Sequence, residues 1–335
     1  MVTGIALTLI AAVLQGIFLL PMSRAREWKW EHMWLVFSLS GMIVCNWILT
    51  FLVLPAPKAI FASVPHREIV ILAGFGLAWG AGAVLFGLAM DMLGLTLGYP
   101  LIMGLNASIG TFVPLLWFYG ASMFQGRKLV ISVGTLVAIA GIWVCSVAGA
   151  RRQSSAQESS GVSRSRFLSG LIMAVVSGTL SCLPNIGLAY GTTTIDTARR
   201  LGASPAFASD AVWLIFFTCG GLVNLTYCFW LILRGRNLRV LFAGNRFPNW
   251  GWSLAMGAMW IGSFYLYGIG TAQLGRSGST IGWPILVSVS IAVGVLSGLG
   301  KGEWVGAPPR AWSLLRRGLA LIALAVFIIP FGKTS

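Results

Sequence analysis

Apolar residues in this chain run in long blocks broken by short polar stretches, with no strand-like alternation. A block of about 20 residues at 1.5 Å rise crosses the ~30 Å hydrocarbon of a bilayer. No water is available there to bond the backbone, so each block is predicted to be a helix that pairs its own N–H and C=O groups. The blocks predict ten spans, at 3–22, 33–54, 69–91, 94–119, 129–148, 166–190, 206–233, 249–273, 277–299 and 312–331. The expected fold class is therefore an all-α integral membrane protein with ten transmembrane helices. Residues 151–166, rich in Ser and Gln, form the one low-complexity stretch and read as a solvated linker.

The pattern is also written twice. Trp79, Gly87 and Gly94 are matched 181 positions later by Trp260, Gly268 and Gly275. Gly98-Tyr99-Pro100 is then matched by Gly282-Trp283-Pro284, and Gly110 by Gly294, at an offset of 184. This predicts a duplication: an N-terminal five-helix repeat at 1–150, a cytoplasmic linker at 151–165 and a C-terminal five-helix repeat at 166–335. With an odd number of spans per half, the second half enters the membrane in the opposite sense. Inverted repeats of this kind build many secondary transporters, whose substrate site lies near the midplane between the halves.

Composition narrows the function. Only 9% of the 335 residues are charged, against about 25% in soluble domains, which excludes a soluble protein. The net charge of +15 is spread over short clusters between spans, so it is no nucleic-acid footprint. Loops after the odd-numbered spans hold fifteen of the 23 Lys and Arg, which places those loops in the cytoplasm and both termini outside. The five cysteines fall in predicted spans without a CxxC pair, and only two histidines exist. Neither a disulfide framework nor a His-based metal or catalytic centre is expected. No phosphate-binding loop, nucleophile elbow or HExxH occurs, so no enzyme activity and no cofactor are expected. The first 22 residues lack a basic leader and a small-x-small site, and read as a span rather than a cleaved signal.

Candidate site residues are the polar and aromatic side chains in mid-span. Trp79 and Trp260 lie far from the interfaces where tryptophans gather, at matching positions of the repeat. Such indoles can wall a central cavity and stack on a sugar ring, or simply fill a helix–helix interface. Gln15, Asn46, Asn106, Asn185 and Asn224 carry amides that must face a partner helix or a wet cavity. As both donors and acceptors, amides suit a neutral polyol, and they serve equally as interhelical bonds. A proton-coupled carrier further needs a carboxyl at the edge of the hydrocarbon. Asp210, placed about one turn into the seventh span among apolar neighbours, is the first candidate, and Glu31 at the mouth of the second span is the next.

Short motifs support a family reading. Trp28-Lys29-Trp30-Glu31-His32-Met33-Trp34, Ala78-Trp79-Gly80 with Gly87-Leu88-Ala89-Met90 and Leu93-Gly94, Gly220-Gly221 with Asn224-Leu225, and Glu303-Trp304 occur in this order. Together they resemble the L-rhamnose–proton symporter family of the drug/metabolite transporter superfamily. The resemblance covers nearly the whole chain. It implies a drug/metabolite transporter-like fold and a cavity lined by spans 1–4 and 6–9. It also implies uptake of L-rhamnose or a related sugar with a proton, across a bacterial inner membrane. An exporter or facilitator of small polar metabolites on the same fold, and a non-transporting sensor or assembly protein, stand as alternatives. The expected partners are a sugar, protons and the lipid bilayer, in a monomer or homodimer that binds no nucleic acid. The charge asymmetry yields a direct expectation: a reporter fused after Ser335 should report an external C-terminus, and a cytoplasmic signal would overturn the orientation.

Overall fold

A computed structural model describes residues 2–93, 95–157, 164–244, 246–275, 278–300 and 304–332. Gly94, Ser277, Glu303 and Ser335 lie outside the described residues, as does the middle of the expected linker, 158–163. The described residues are helical with no strand. Nine helical stretches of 23 to 27 residues among them are long and apolar enough to cross a membrane. The expected eighth span is not one of the nine, although it is a helix of 29 residues, α12 (Arg246–Leu274). Its Trp, Tyr, Ser and Gly content dilutes its apolarity. Neighbouring helices shield much of it, with Trp260, Ile261, Phe264 and Tyr267 all buried.

The first span is α1 (Val2–Ile17), which packs along α12 and α13 (Gly278–Gly300). The second is three pieces in series: α2 (Trp30–Phe37), a π-helical segment (Ser38–Cys45) and α3 (Asn46–Val53). Next come a short α4 (Pro57–Ser63), α5 (His66–Leu93), α6 (Leu95–Tyr119) and α7 (Gly126–Gln157). The sixth span breaks into α8 (Arg164–Ser181) and α9 (Leu183–Tyr190) because Pro184 has no N–H to continue the ladder. The connection between the sixth and seventh spans carries an unanticipated helix, α10 (Thr192–Arg200), that meets α4. The chain ends with α11 (Asp210–Arg234), then α12, α13 and α14 (Pro309–Ile328). The turn Ser204–Ala208 delays the seventh helix, so Asp210 is its first residue rather than one turn inside.

Packing follows the small residues. α8 lies against α5 and α6, α11 against α5 and the second span, α12 against the second span, α6 against α13 and α7 against α14. A Cβ on Gly41 would stand 2.9 Å from Gly257 Cα, and one on Gly220 would stand 2.9 Å from the Gly76 carbonyl oxygen. In hydrocarbon no hydrophobic drive joins helices, so backbone contact of this closeness supplies the dispersion energy instead. The basic loops gather at one end. There Trp28 donates to the Val240 carbonyl, Asn249 pairs with the Arg26 backbone and Arg152 covers the Trp304 ring.

A substitution pair tests the seams. Gly220→Val should destabilise by about 1–3 kcal/mol through overpacking. Gly251→Ala, at an exposed position with open space, should be neutral or gain up to ~1 kcal/mol. Thermal unfolding midpoints in detergent read both, and equal effects would contradict the close contact.

Candidate functional site

A cavity lies among α1, α2, α5, α6, the α8–α9 break, α12 and α13. Eight aromatic residues line it: Phe18, Trp34, Phe37, Trp79, Phe86, Trp260, Phe264 and Trp283. Trp79 and Trp260 stack on each other, with ring centroids 5.6 Å apart and planes 25° from parallel. Phe217 meets both edge-on, at 5.5 and 4.8 Å, and Phe37 meets Trp260 at 82°. Rings held in such mutual contacts keep their orientation, so the wall is a fixed surface.

Buried amides hold other parts of that wall. Asn224 Nδ2 donates to the Gly220 carbonyl at 2.9 Å and the Gly80 carbonyl at 3.3 Å, and its Oδ1 accepts from Trp34 Nε1 at 2.9 Å. Asn185 Nδ2 donates to the Gly110 carbonyl at 2.6 Å, and its Oδ1 accepts from the Tyr267 hydroxyl. Tyr267 in turn meets Trp283 edge-on, and Trp283 Nε1 donates to the Asn106 carbonyl at 3.3 Å. Asn46 Nδ2 donates to the Met42 and Trp213 carbonyls, and the Tyr265 hydroxyl donates to the Asn46 carbonyl at 3.0 Å. All three of these amides are fully buried.

Gln15 and Asn106 differ. Both line the cavity, and Gln15 Oε1 and Asn106 Oδ1 are buried without a partner. An unmet acceptor of this kind costs about 1–3 kcal/mol, which a ligand hydroxyl would relieve. The lining residues carry no charge, so the cavity suits a neutral molecule with an apolar face and a few hydroxyls. Of the seven residues expected to bind substrate, Gln15, Trp79, Asn106 and Trp260 thus share this cavity. Asn46, Asn185 and Asn224 are engaged between helices behind it.

The two carboxyls part company. Glu31 is partly exposed at the start of α2 and accepts from Asn237 Nδ2 at 3.4 Å. Asp210 is fully buried, and neither of its oxygens has a partner. An unpaired carboxylate in such surroundings costs several kcal/mol. A second cavity opens at the end opposite the basic loops, bounded by Thr192, Asp196, Arg199, Ser209, Gly268 and Ser279 among others.

Some of the wall was not anticipated from sequence. Trp283 sat in the repeated Gly-aromatic-Pro, a signal that could have placed it beside Trp79 and Trp260. Trp34, Phe37 and Met103 carry no such mark.

A family model described as L-rhamnose-proton symport protein matches residues 1–335. The chain belongs to that family. Relatives include L-rhamnose-proton symporters of Klebsiella pneumoniae (strain 342), 28% identical over 342 residues, and Cronobacter sakazakii (strain ATCC BAA-894), 27% identical over 341. That of Citrobacter koseri (strain ATCC BAA-895 / CDC 4225-83 / SGSC4696) is 26% identical over 342 residues. Each match covers 99% of this chain and 98% of the relative. Membership in this symport family, with the apolar helices, makes the chain a multi-pass transporter of a bacterial inner membrane and not an enzyme.

The two kinds of amide should separate experimentally. Asn185→Ala leaves the Tyr267 hydroxyl and Gly110 carbonyl unmet and should lower stability by about 1–3 kcal/mol. Gln15→Ala should leave the melting temperature unchanged and weaken any sugar-induced stabilisation. The reverse ranking would reassign both.

Proposed function

We propose that this chain carries L-rhamnose or a closely related deoxyhexose into the cell together with a proton, by alternating access. The observation that carries the reading is the uncharged aromatic cavity with two unmet amide oxygens, in a chain whose relatives are named L-rhamnose-proton symporters. A deoxyhexose offers a methyl group and C–H faces to the tryptophans and hydroxyl donors to Gln15 and Asn106. The proposed binding set is Gln15, Trp79, Asn106 and Trp260, with Asn46, Asn185 and Asn224 orienting the wall behind them.

The proposed architecture is ten helices in two inverted repeats, 1–150 and 166–335, with the basic loops in the cytoplasm. Three observations support it. Exchanging the halves leaves the neighbour scheme unchanged: α1 on α12 and α13 answers α8 on α5 and α6, and the second span on α12 answers α11 on α5. The equivalent tryptophans meet each other. A Cβ on Gly110 would meet the Trp283 ring, and one on Gly294 would stand 3.9 Å from Tyr99 Cε1. Trp283 follows Tyr99, and Gly294 follows Gly110, by the same 184 positions.

Purified protein in sealed vesicles with an alkaline interior should accumulate L-rhamnose, and collapsing the pH gradient should abolish the accumulation. Trp79→Ala should weaken rhamnose binding about 2- to 10-fold, the equivalent of 0.5–1.5 kcal/mol for a lost ring contact. Unaltered affinity would leave the tryptophan as packing alone.

A further inference from the structure

Ser209, Asp210 and Trp213 occupy one turn at the start of α11, and each keeps an unpartnered polar atom: Ser209 Oγ, both Asp210 oxygens and Trp213 Nε1. Ser and Asp at a helix start ordinarily bond the first free N–H groups. Here the preceding turn takes part of that role, since Asp210 N donates to the Phe207 carbonyl, and Ser209 makes no capping bond. The side chains are left over for something else. Gly268, one of the repeated glycines, faces two of them: a Cβ there would lie 3.2 Å from Trp213 Nε1 and closer still to Ser209 Oγ. Ser209 and Gly268 both line the second cavity, with Trp213 Nε1 beside Gly268 and Asp210 next to Ser209 along the chain.

We infer that Asp210 is the proton-carrying group of the transport cycle, loaded from the second cavity past Ser209 and Gly268. This rests on the symport reading above. The step is a simple one: a carboxylate oxygen takes one proton from the external side to become the neutral acid, and the same O–H bond breaks when the site opens inward.

The groups around Asp210 favour it as carrier. From α12, the Tyr265 hydroxyl is turned to other partners, 2.8 Å from Thr50 Oγ1 and 3.0 Å from the Asn46 carbonyl. Cys45 belongs to the π-helical segment on the same side. Glu68 of α5 is committed to Thr194, through its backbone N–H at 2.8 Å and its hydroxyl at 2.7 Å. Arg199 of α10 stands 3.7 Å from Asp196, and Arg200 donates to Thr197. Those three charged groups, with Lys58 of α4 and His66 and Arg67 of α5, are exposed. None of these described cations pairs with Asp210. The link to substrate runs through Asn46, which joins Tyr265 to the Trp213 carbonyl, beside the Phe217 and Phe264 rings that meet Trp260.

The test uses the whole chain in phosphatidylethanolamine–phosphatidylglycerol vesicles with L-rhamnose as probe. One coupled proton lets the wild type accumulate sugar up to about tenfold per pH unit of gradient. Asp210→Asn should lose that accumulation and the accompanying pH change, while rhamnose counterflow stays within about threefold of wild type, well under one 1.4 kcal/mol step. Asp210→Glu should restore part of the coupling. An Asp210→Asn protein that still concentrates sugar and moves protons overturns the proposal. Dicyclohexylcarbodiimide, which adds across a protonated carboxyl to leave a stable acylurea, gives a readout on the wild type that needs neither sugar nor a folded variant. Mass spectrometry should find Asp210 labelled faster as external pH falls, and more slowly in Gly268→Val. An unlabelled Asp210 also overturns the proposal. A wild type that carries no rhamnose yet labels at Asp210 overturns the substrate reading instead.

Discussion

The interior is organised around the contact between Trp79 and Trp260. Each ring belongs to a different half of the chain, so their stacking is where the halves touch face to face. Phe37, Phe217 and Phe264 close around the pair, and Asn224 fixes Trp34 beside it. Rings in a bilayer gain little from being hidden from water, because lipid is as apolar as they are. What holds them is dispersion and edge-to-face geometry, together with the amide bonds behind them. The same rings therefore serve cohesion and cavity shape, and one cannot be altered without the other.

Membrane residence and helix positions were readable in the sequence because bilayer thickness and backbone pairing impose a long, strong signal. Trp79 and Trp260 stood out for a second reason: their spacing to nearby glycines recurs along the chain, a mark that hydropathy does not carry. Other features were hidden by local competition. Nothing in the apolar run 33–54 announces its π-helical segment, and the delay of α11 to Asp210 depends on the turn at Ser204–Ala208. The asparagines were the least legible, since an amide bridging helices and one facing a ligand obey the same rule in sequence. Only three-dimensional placement sets Asn185 and Asn224 apart from Asn106. The low apolarity of α12 hides in the same way a helix that is shielded by its neighbours.

The break between α8 and α9 has a mechanical meaning. Pro184 offers no N–H, and the backbone N–H groups of Asn185 and Ile186 both turn to the Cys182 carbonyl, at 3.1 and 3.3 Å. A continuous helix bent at mid-membrane would have to stretch several ladder bonds in a medium with nothing to replace them. Here those bonds are already re-routed on either side of one residue. The span is thus two stiff rods on a common joint, with Ser181 and Pro184 of that joint in the cavity wall. A change in the angle between the rods would alter the shape of the cavity while leaving the hydrogen bonds of both rods intact.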